Sequence, residues 1–135
     1  MTAAGLPAPT EDDVRAAAEA IVRAFAANDG DTYFSLFSED ATFVFHTEPA
    51  RLDIRSAYED LWRAWIAEGW RIASCRSSDA RVQTFPGGAV FTHTVHTTVD
   101  TAEGPESSIE RETIVFRTTD AGRLVAVHEH LSPQP

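Results

Sequence analysis

Up to Gly69 the apolar residues of the chain recur mostly every three or four positions, and beyond it every two. Val14, Ala18, Ile21, Val22 and Phe25 form one stripe at helical spacing and predict an amphipathic helix. Thr10, with Asp13 three residues on, marks its start, and Glu11 and Asp12 suit the positive end of the helix dipole. Asn28-Asp29-Gly30 ends it. A short second helix follows, with Asp31 as its expected cap and Tyr33, Phe34, Leu36 and Phe37 turned inward. Ala41 to Thr47 is rich in aromatic and β-branched residues and predicts a strand. Ser56 and Glu59 stand at capping-box spacing for a third helix, closed by Gly69, whose Leu61, Trp62, Trp65 and Ile66 face one way.

From Trp70 the alternation of strands takes over. Trp70 to Phe85 reads as a long, bent strand ended by Pro86-Gly87-Gly88, and Ala89 to Asp100 as the next. Glu103-Gly104-Pro105 turns the chain into Glu106 to Thr118, and Asp120-Ala121-Gly122 into a last strand from Arg123 to Leu131. Helices first and an antiparallel meander after is an α+β order. Residues 1–9, with two prolines, are expected to be a flexible arm, and residues 10–135 one domain.

Composition narrows the chemistry. The 135 residues are 43% hydrophobic and 24% charged with a mean hydropathy of -0.22, a globular rather than disordered balance. Acids outnumber bases 21 to 11, for a net charge of -10, which argues against nucleic acid or an anionic membrane as a partner. Every basic residue is arginine, so Schiff-base lysine chemistry, a P-loop lysine and a Ser–Lys dyad are excluded. Cys75 is the single cysteine, which excludes an internal disulfide and multi-cysteine zinc sites. With no basic, apolar leader and no run near the ~20 apolar residues of a membrane helix, the cytoplasm is the expected compartment.

The run ERETIVFRTTDAGRLVAVHEHLS, residues 110–132, has a strand ending in Val115-Phe116, an Asp-x-Gly turn and a last strand reading V-H-x-H-x-S. Earlier, N-D-G-D at 28–31 follows the first helix and S-E-D-A-T-F at 38–43 opens the first strand. Together these resemble the SnoaL-like branch of the nuclear-transport-factor-2-like superfamily, over roughly residues 11 to 132. The association domain of calcium/calmodulin-dependent kinase shares the layout. The resemblance implies three N-terminal helices packed on a curved antiparallel sheet, a cone-shaped barrel with an internal pocket, and dimerisation through the outer face of the sheet. It leaves function open, because the superfamily hosts isomerases, cyclases, dehydratases, epoxide hydrolases and assembly domains. Ketosteroid isomerase, a member, pairs a general base with a neutral pocket acid. The resemblance puts that base at Phe45 and that acid at Ile114, both hydrocarbon here. The pocket arginine of the kinase domain also falls on Ile114. Neither set of known residues is present.

Strand alternation supplies other candidates. If Ile114 points inward, so do Glu110, Glu112 and Phe116; Glu129 lies inward between Val127 and Leu131, and His93 and Thr97 share the inward set of Phe91, Val95 and Val99. The expected walls are Phe43, Phe45, Tyr58, Trp62, Trp65, Ile114, Phe116 and Leu131, contacting a hydrophobic small molecule. Carboxyls in such walls share a proton and rise in pKa, so Glu112, Glu129 and His93 are the candidate catalytic residues, needing no cofactor. The structural alternative is that either glutamate pairs with an arginine such as Arg111 across the sheet, or lies at the mouth in water. Tyr33 and Tyr58 are possible donors to a substrate carbonyl, or core residues. His128 and His130, two apart on one face, have the spacing of a metal pair, but by parity they lie on the outer face, and no metal is expected. Cys75 reads as an incidental thiol. These residues suit acid/base isomerisation, cyclisation or dehydration of a carbonyl-type substrate, or else a non-enzymatic binding or self-association domain. A pocket carboxyl titrating near neutrality separates the two.

Overall fold

The computed structural model describes residues 5–135. Its elements are α1 (Glu11–Ala26), α2 (Gly30–Ser35), β1 (Phe37–Phe45), α3 (Arg55–Ala67), β2 (Arg71–Phe85), β3 (Gly88–Thr101), β4 (Gly104–Thr118) and β5 (Leu124–Pro133). Residues 1–4 of the expected arm lie outside the described part. Within it, the Pro7 carbonyl accepts a bond from the Gly87 N–H at 3.2 Å, which ties this segment to the β2–β3 turn.

Thr10 caps α1 as its spacing predicts, its hydroxyl accepting from the Asp13 N–H at 3.1 Å. The other two caps differ from expectation. Asn28 takes a left-handed φ of 58°, so the chain turns into α2 early and Asp29, not Asp31, accepts from the Thr32 N–H. Helix α3 begins at Arg55 with Ile54 before it and no side-chain cap. Ser56 therefore sits inside the first turn, and Glu59 is held by Arg55 at 2.8 Å instead of reaching back. The same guanidinium donates to the Phe37 carbonyl at 2.9 Å, fastening α3 to the start of β1. On α3, Tyr58 and Trp62 are buried, Leu61 and Trp65 half-buried, and Ile66 is 47% exposed. Ile66 lies about 80° around the helix from Tyr58, outside the buried stripe. Gly69, at φ 96°, ends the element where a side chain would strain.

The sheet runs β1-β5-β4-β3-β2 and is curved and open, since β1 and β2 are its two edges. Three hairpins make β2 to β5 the expected antiparallel meander. β1, however, joins β5 in parallel: α3 carries the chain from one edge to the other, and the hairpins bring β5 back alongside β1 in the same sense. β2 is bent, with irregular pairing between Ile72 and Ser74 and between Ser78 and Arg81, where Asp79 takes φ 52°. A further irregularity pairs Val115 with His128 but Phe116 with Ala126. Val127 is thus the extra residue, and Ala126 occupies the inward place expected of it.

The helices lie on the concave face, where Val14, Tyr33, Phe37, Phe43 and Ile114 are the largest fully buried side chains. This is an α+β half-barrel with helices completing the enclosure. Among the described residues, no helix is long and apolar enough to cross a membrane.

Candidate small-molecule site

Between the helices and the wide end of the sheet lies a cavity of about 400 Å³. Phe25 of α1, Tyr33 of α2, Phe45 of β1, Tyr58 and Trp65 of α3, and Trp70 make its aromatic wall. The sheet contributes Val95, Thr97, Val99 and Leu131, together with Glu110, Glu112 and Glu129. His46, Glu48, Glu106 and Ser108 stand at the rim. The space and its apolar lining suit a small organic molecule.

Cross-strand register explains why the carboxyls meet. Glu112 on β4 lies opposite His93 on β3, and Glu129 on β5 lies opposite Ile114, so the two glutamates are diagonal neighbours on one face. Glu112 Oε1 is 2.7 Å from His93 Nε2, and His93 Nδ1 is 2.6 Å from the Ser77 hydroxyl on β2. The Tyr33 hydroxyl donates to Glu129 Oε2 at 3.4 Å and lies 3.0 Å from the Tyr58 hydroxyl. When Tyr33 donates to Glu129, Tyr58 is left to donate to Tyr33. No arginine pairs with either glutamate among the described residues; Arg111 is exposed on the opposite face.

Burial without a cation sets the protonation. Desolvation pushes Glu112 up to about 7; the Glu110 charge adds to this, while a hydrogen bond from Glu129 opposes it. Glu129, 2% exposed, is pushed well above the ordinary carboxylate range by burial and by the charge of Glu112. The pair therefore holds one proton firmly at neutral pH, with Glu129 donating to Glu112. Burial lowers His93 to about 4, so its imidazole is neutral. Burial, with the charge of Glu129 second, raises Tyr33 and Tyr58 well above 10, which keeps both as phenols. The Cys75 thiol lines the same cavity but burial lifts it to about 11, and it accepts from Thr97 at 3.6 Å; it is not poised as a nucleophile.

The expected site residues thus divide. Glu112, Glu129, Tyr58, Trp65, Phe45 and Leu131 line the cavity. Phe43, Trp62, Ile114 and Phe116 are buried in the core and do not line it. His93 faces inward but stands behind Glu112, so it meets the cavity only through that carboxyl. Trp70, Phe25 and Ser77 were not foreseen in the site; Ser77 has the parity of Cys75 on β2, the one signal that marks it. On the outer face, His128 Nδ1 bonds the Thr42 hydroxyl at 2.7 Å and the His130 ring centre lies 6.2 Å from that of His128. Among the described residues no cluster of three or more His, Cys, Asp or Glu forms a metal site.

No curated protein matches the sequence. Several solved structures share the fold. An NTF2-like protein of unknown function in nutrient uptake from Rhodospirillum rubrum is 21% identical over 91% of this chain and 99% of its own, with a TM-score of 0.79. The hub of CaMKII, a calcium/calmodulin-dependent kinase, from S. rosetta is 19% identical over 96% of this chain and 100% of its own, with a TM-score of 0.76. An NTF2-like protein with a cystatin-like fold from Novosphingobium aromaticivorans is 19% identical over 90% of this chain and 80% of its own, with a TM-score of 0.69. The sequence model of the SnoaL-like domain matches residues 14–135, nearly the whole of the described fold, and the chain belongs to this SnoaL-like family.

Proposed function

We propose that the cavity binds a hydrophobic, carbonyl-containing small molecule and that Glu112 and Glu129 move a proton on it without a cofactor. One observation carries this reading: two carboxyls adjoin in an aromatic cavity, without an arginine, so that one stays neutral while the other titrates near neutrality. In the reaction, the Glu112 carboxylate takes the proton from the carbon beside the carbonyl. As substrate binds, the Glu129 O–H turns from Glu112 to the carbonyl oxygen and hydrogen-bonds it as negative charge develops there. Glu112 then returns its proton to a different carbon in an isomerisation, to the alkoxide left when the enolate carbon closes on a second carbonyl in a cyclisation, or to a departing hydroxyl in a dehydration. Tyr33, itself bonded to Tyr58, holds Glu129 in place.

The test is the melting temperature of the purified protein against hydrophobic ketones, aromatic acids and divalent metals. A ligand at 100 times its dissociation constant adds about 2.7 kcal/mol, a clear shift for a domain of this size. Stabilisation by a ketone that disappears in Phe45→Ala supports the site. Turnover of that ketone falling about 100-fold or more in Glu112→Gln supports the chemistry. Stabilisation by metals alone overturns both.

A second reading, self-association, is favoured by the likeness to the kinase hub. We propose a homodimer through the outer face of the sheet, around His128 and His130. Sedimentation velocity showing a monomer at micromolar concentration overturns it.

A further inference from the structure

Val22, Cys75 and His93 stand between two openings in the molecule. On one side is the cavity that Glu112 lines; on the other is a smaller cleft of about 210 Å³ between α1 and the sheet, bounded by Ala18, Glu19, Arg23, Ser77 and Phe91. Ser77 is exposed there, whereas the His93 side chain has no exposure. One chain of short contacts crosses from cleft to cavity: Ser77 Oγ to His93 Nδ1 at 2.6 Å, then His93 Nε2 to Glu112 Oε1 at 2.7 Å. Both ring nitrogens are engaged, one toward each opening. The Phe91 ring, centred 4.6 Å from that of His93, packs beside it.

We propose that Ser77 and His93 form a proton relay that exchanges protons between Glu112 and water in the α1–β2 cleft. This rests on the acid/base reading of the cavity and adds a route that stays open when a ligand fills the mouth. With Glu112 protonated, its O–H donates to Nε2, the Nδ1–H donates to Ser77 Oγ, and the Ser77 O–H faces the cleft. On transfer, the Glu112 proton passes to Nε2, the Nδ1 proton passes to Ser77 Oγ, and the original Ser77 hydroxyl proton leaves to a water. Glu112 ends as a carboxylate, His93 is neutral before and after, and only its tautomer has changed. The lowered basicity of His93 agrees with an imidazole that never holds two protons at neutral pH. Ser77 and His93 are positioning residues in this scheme, since neither lines the main cavity.

Glu112 is also faced by Glu129 of β5, Glu110 of β4, Tyr33 of α2, Tyr58 of α3 and Cys75 of β2, and the cleft by Glu19 and Arg23 of α1. The experiment must therefore read His93 itself. Protein labelled with ¹⁵N-histidine is titrated from pH 5 to 9, with NMR reporting the His93 tautomer and difference infrared spectroscopy reporting the buried carboxyl. The expected result is a change from Nδ1–H to Nε2–H in step with loss of the carboxylic C=O band. Ser77→Val, at an exposed strand position, leaves Nδ1 facing hydrocarbon. His93 then stays Nε2–H throughout, and the carboxyl titrates at lower pH because it always receives that bond. Ser77→Thr restores the switch. A carboxyl that titrates beside a locked or doubly protonated His93 overturns the relay and leaves the acid/base reading standing. The absence of any buried carboxyl titration overturns that reading, and the relay with it.

Discussion

The concave face of the sheet is built in two ways along its length. At its narrow end Ala89, Ile114, Phe116 and Ala126 belong to the hydrocarbon core. At its wide end Val95, Thr97, Glu112, Glu129 and Leu131 face the cavity. The same strands, the same face and the same alternation serve both. β1 makes the contrast sharpest: Phe43 and Phe45 are two residues apart on one face, 0% and 6% exposed, yet only Phe45 borders the cavity. Period-two patterning fixes which face a side chain occupies. Whether that face is core or cavity depends on how far along the strands the helices press down.

The two ends can be told apart by substitution. Phe43→Ala should cost about 3–5 kcal/mol in urea unfolding, as for a large ring removed from a closed core. Phe45→Ala should cost roughly half of that, because Tyr58, 4.9 Å away between ring centres, has open space in which to adjust. Equal losses would mean that the wide end is as tightly packed as the narrow one.

The wide end should also dominate the pH dependence. Glu112 is raised from 4.5 to about 7, so its contribution is fully present below about pH 4.5 and is lost as pH rises through 7, on the order of 3 kcal/mol. His93 is lowered from 6.5 to about 4, so its contribution is present above pH 6.5 and lost as pH falls toward 4. The two slopes oppose each other. Relative to the wild type, Glu112→Gln should gain stability with rising pH between 4.5 and 7, and His93→Gln should lose it. Unfolding free energies at pH 4.5, 5.5, 6.5 and 7.5 check both signs, and Ile114→Val, at the narrow end, should leave the slope untouched.

Smaller effects follow at the join. Tyr33→Phe should cost about 1–2 kcal/mol and more than Tyr58→Phe, because only Tyr33 serves both Glu129 and the other phenol. At the helix starts, Thr10→Ala should cost about 1 kcal/mol while Ser56→Ala stays within about 0.5, since only Thr10 caps a helix. A matching loss at Ser56 would restore the capping box that the sequence spacing suggests.

Much of this was legible in the residues. The Thr10 cap, the Gly69 stop, the hairpin turns and the inward parity of Glu112, Glu129 and His93 all come from local patterns, and local patterns survive folding. What failed depended on long-range geometry. The parallel pairing of β1 with β5 follows from where α3 delivers the chain, the bulge at Val127 shifts one inward position to Ala126, and Arg55, anchored on the Phe37 carbonyl, takes Glu59 as its own partner. The division of the aromatic residues into core and cavity is likewise set by packing depth, on which period and composition are silent. Ser77 was hidden for the same reason: β2 is bent, and parity along a bent strand is a weak guide.

The parallel edge pair has a consequence for how the chain is made. Within this domain β1 leaves a ribosome well before β5, yet Phe43 and Glu129 stand side by side in the finished sheet. Until β5 emerges, β1 is paired only through the Phe43–Leu52 bridge, and the cavity lacks Glu129 and Leu131. Contacts of such sequence separation are slow to form and leave apolar surface exposed meanwhile. A translational pause or truncation before Leu124 would therefore leave a sticky intermediate. The residue on which the proposed chemistry most depends, Glu129, is carried by the strand whose arrival completes folding.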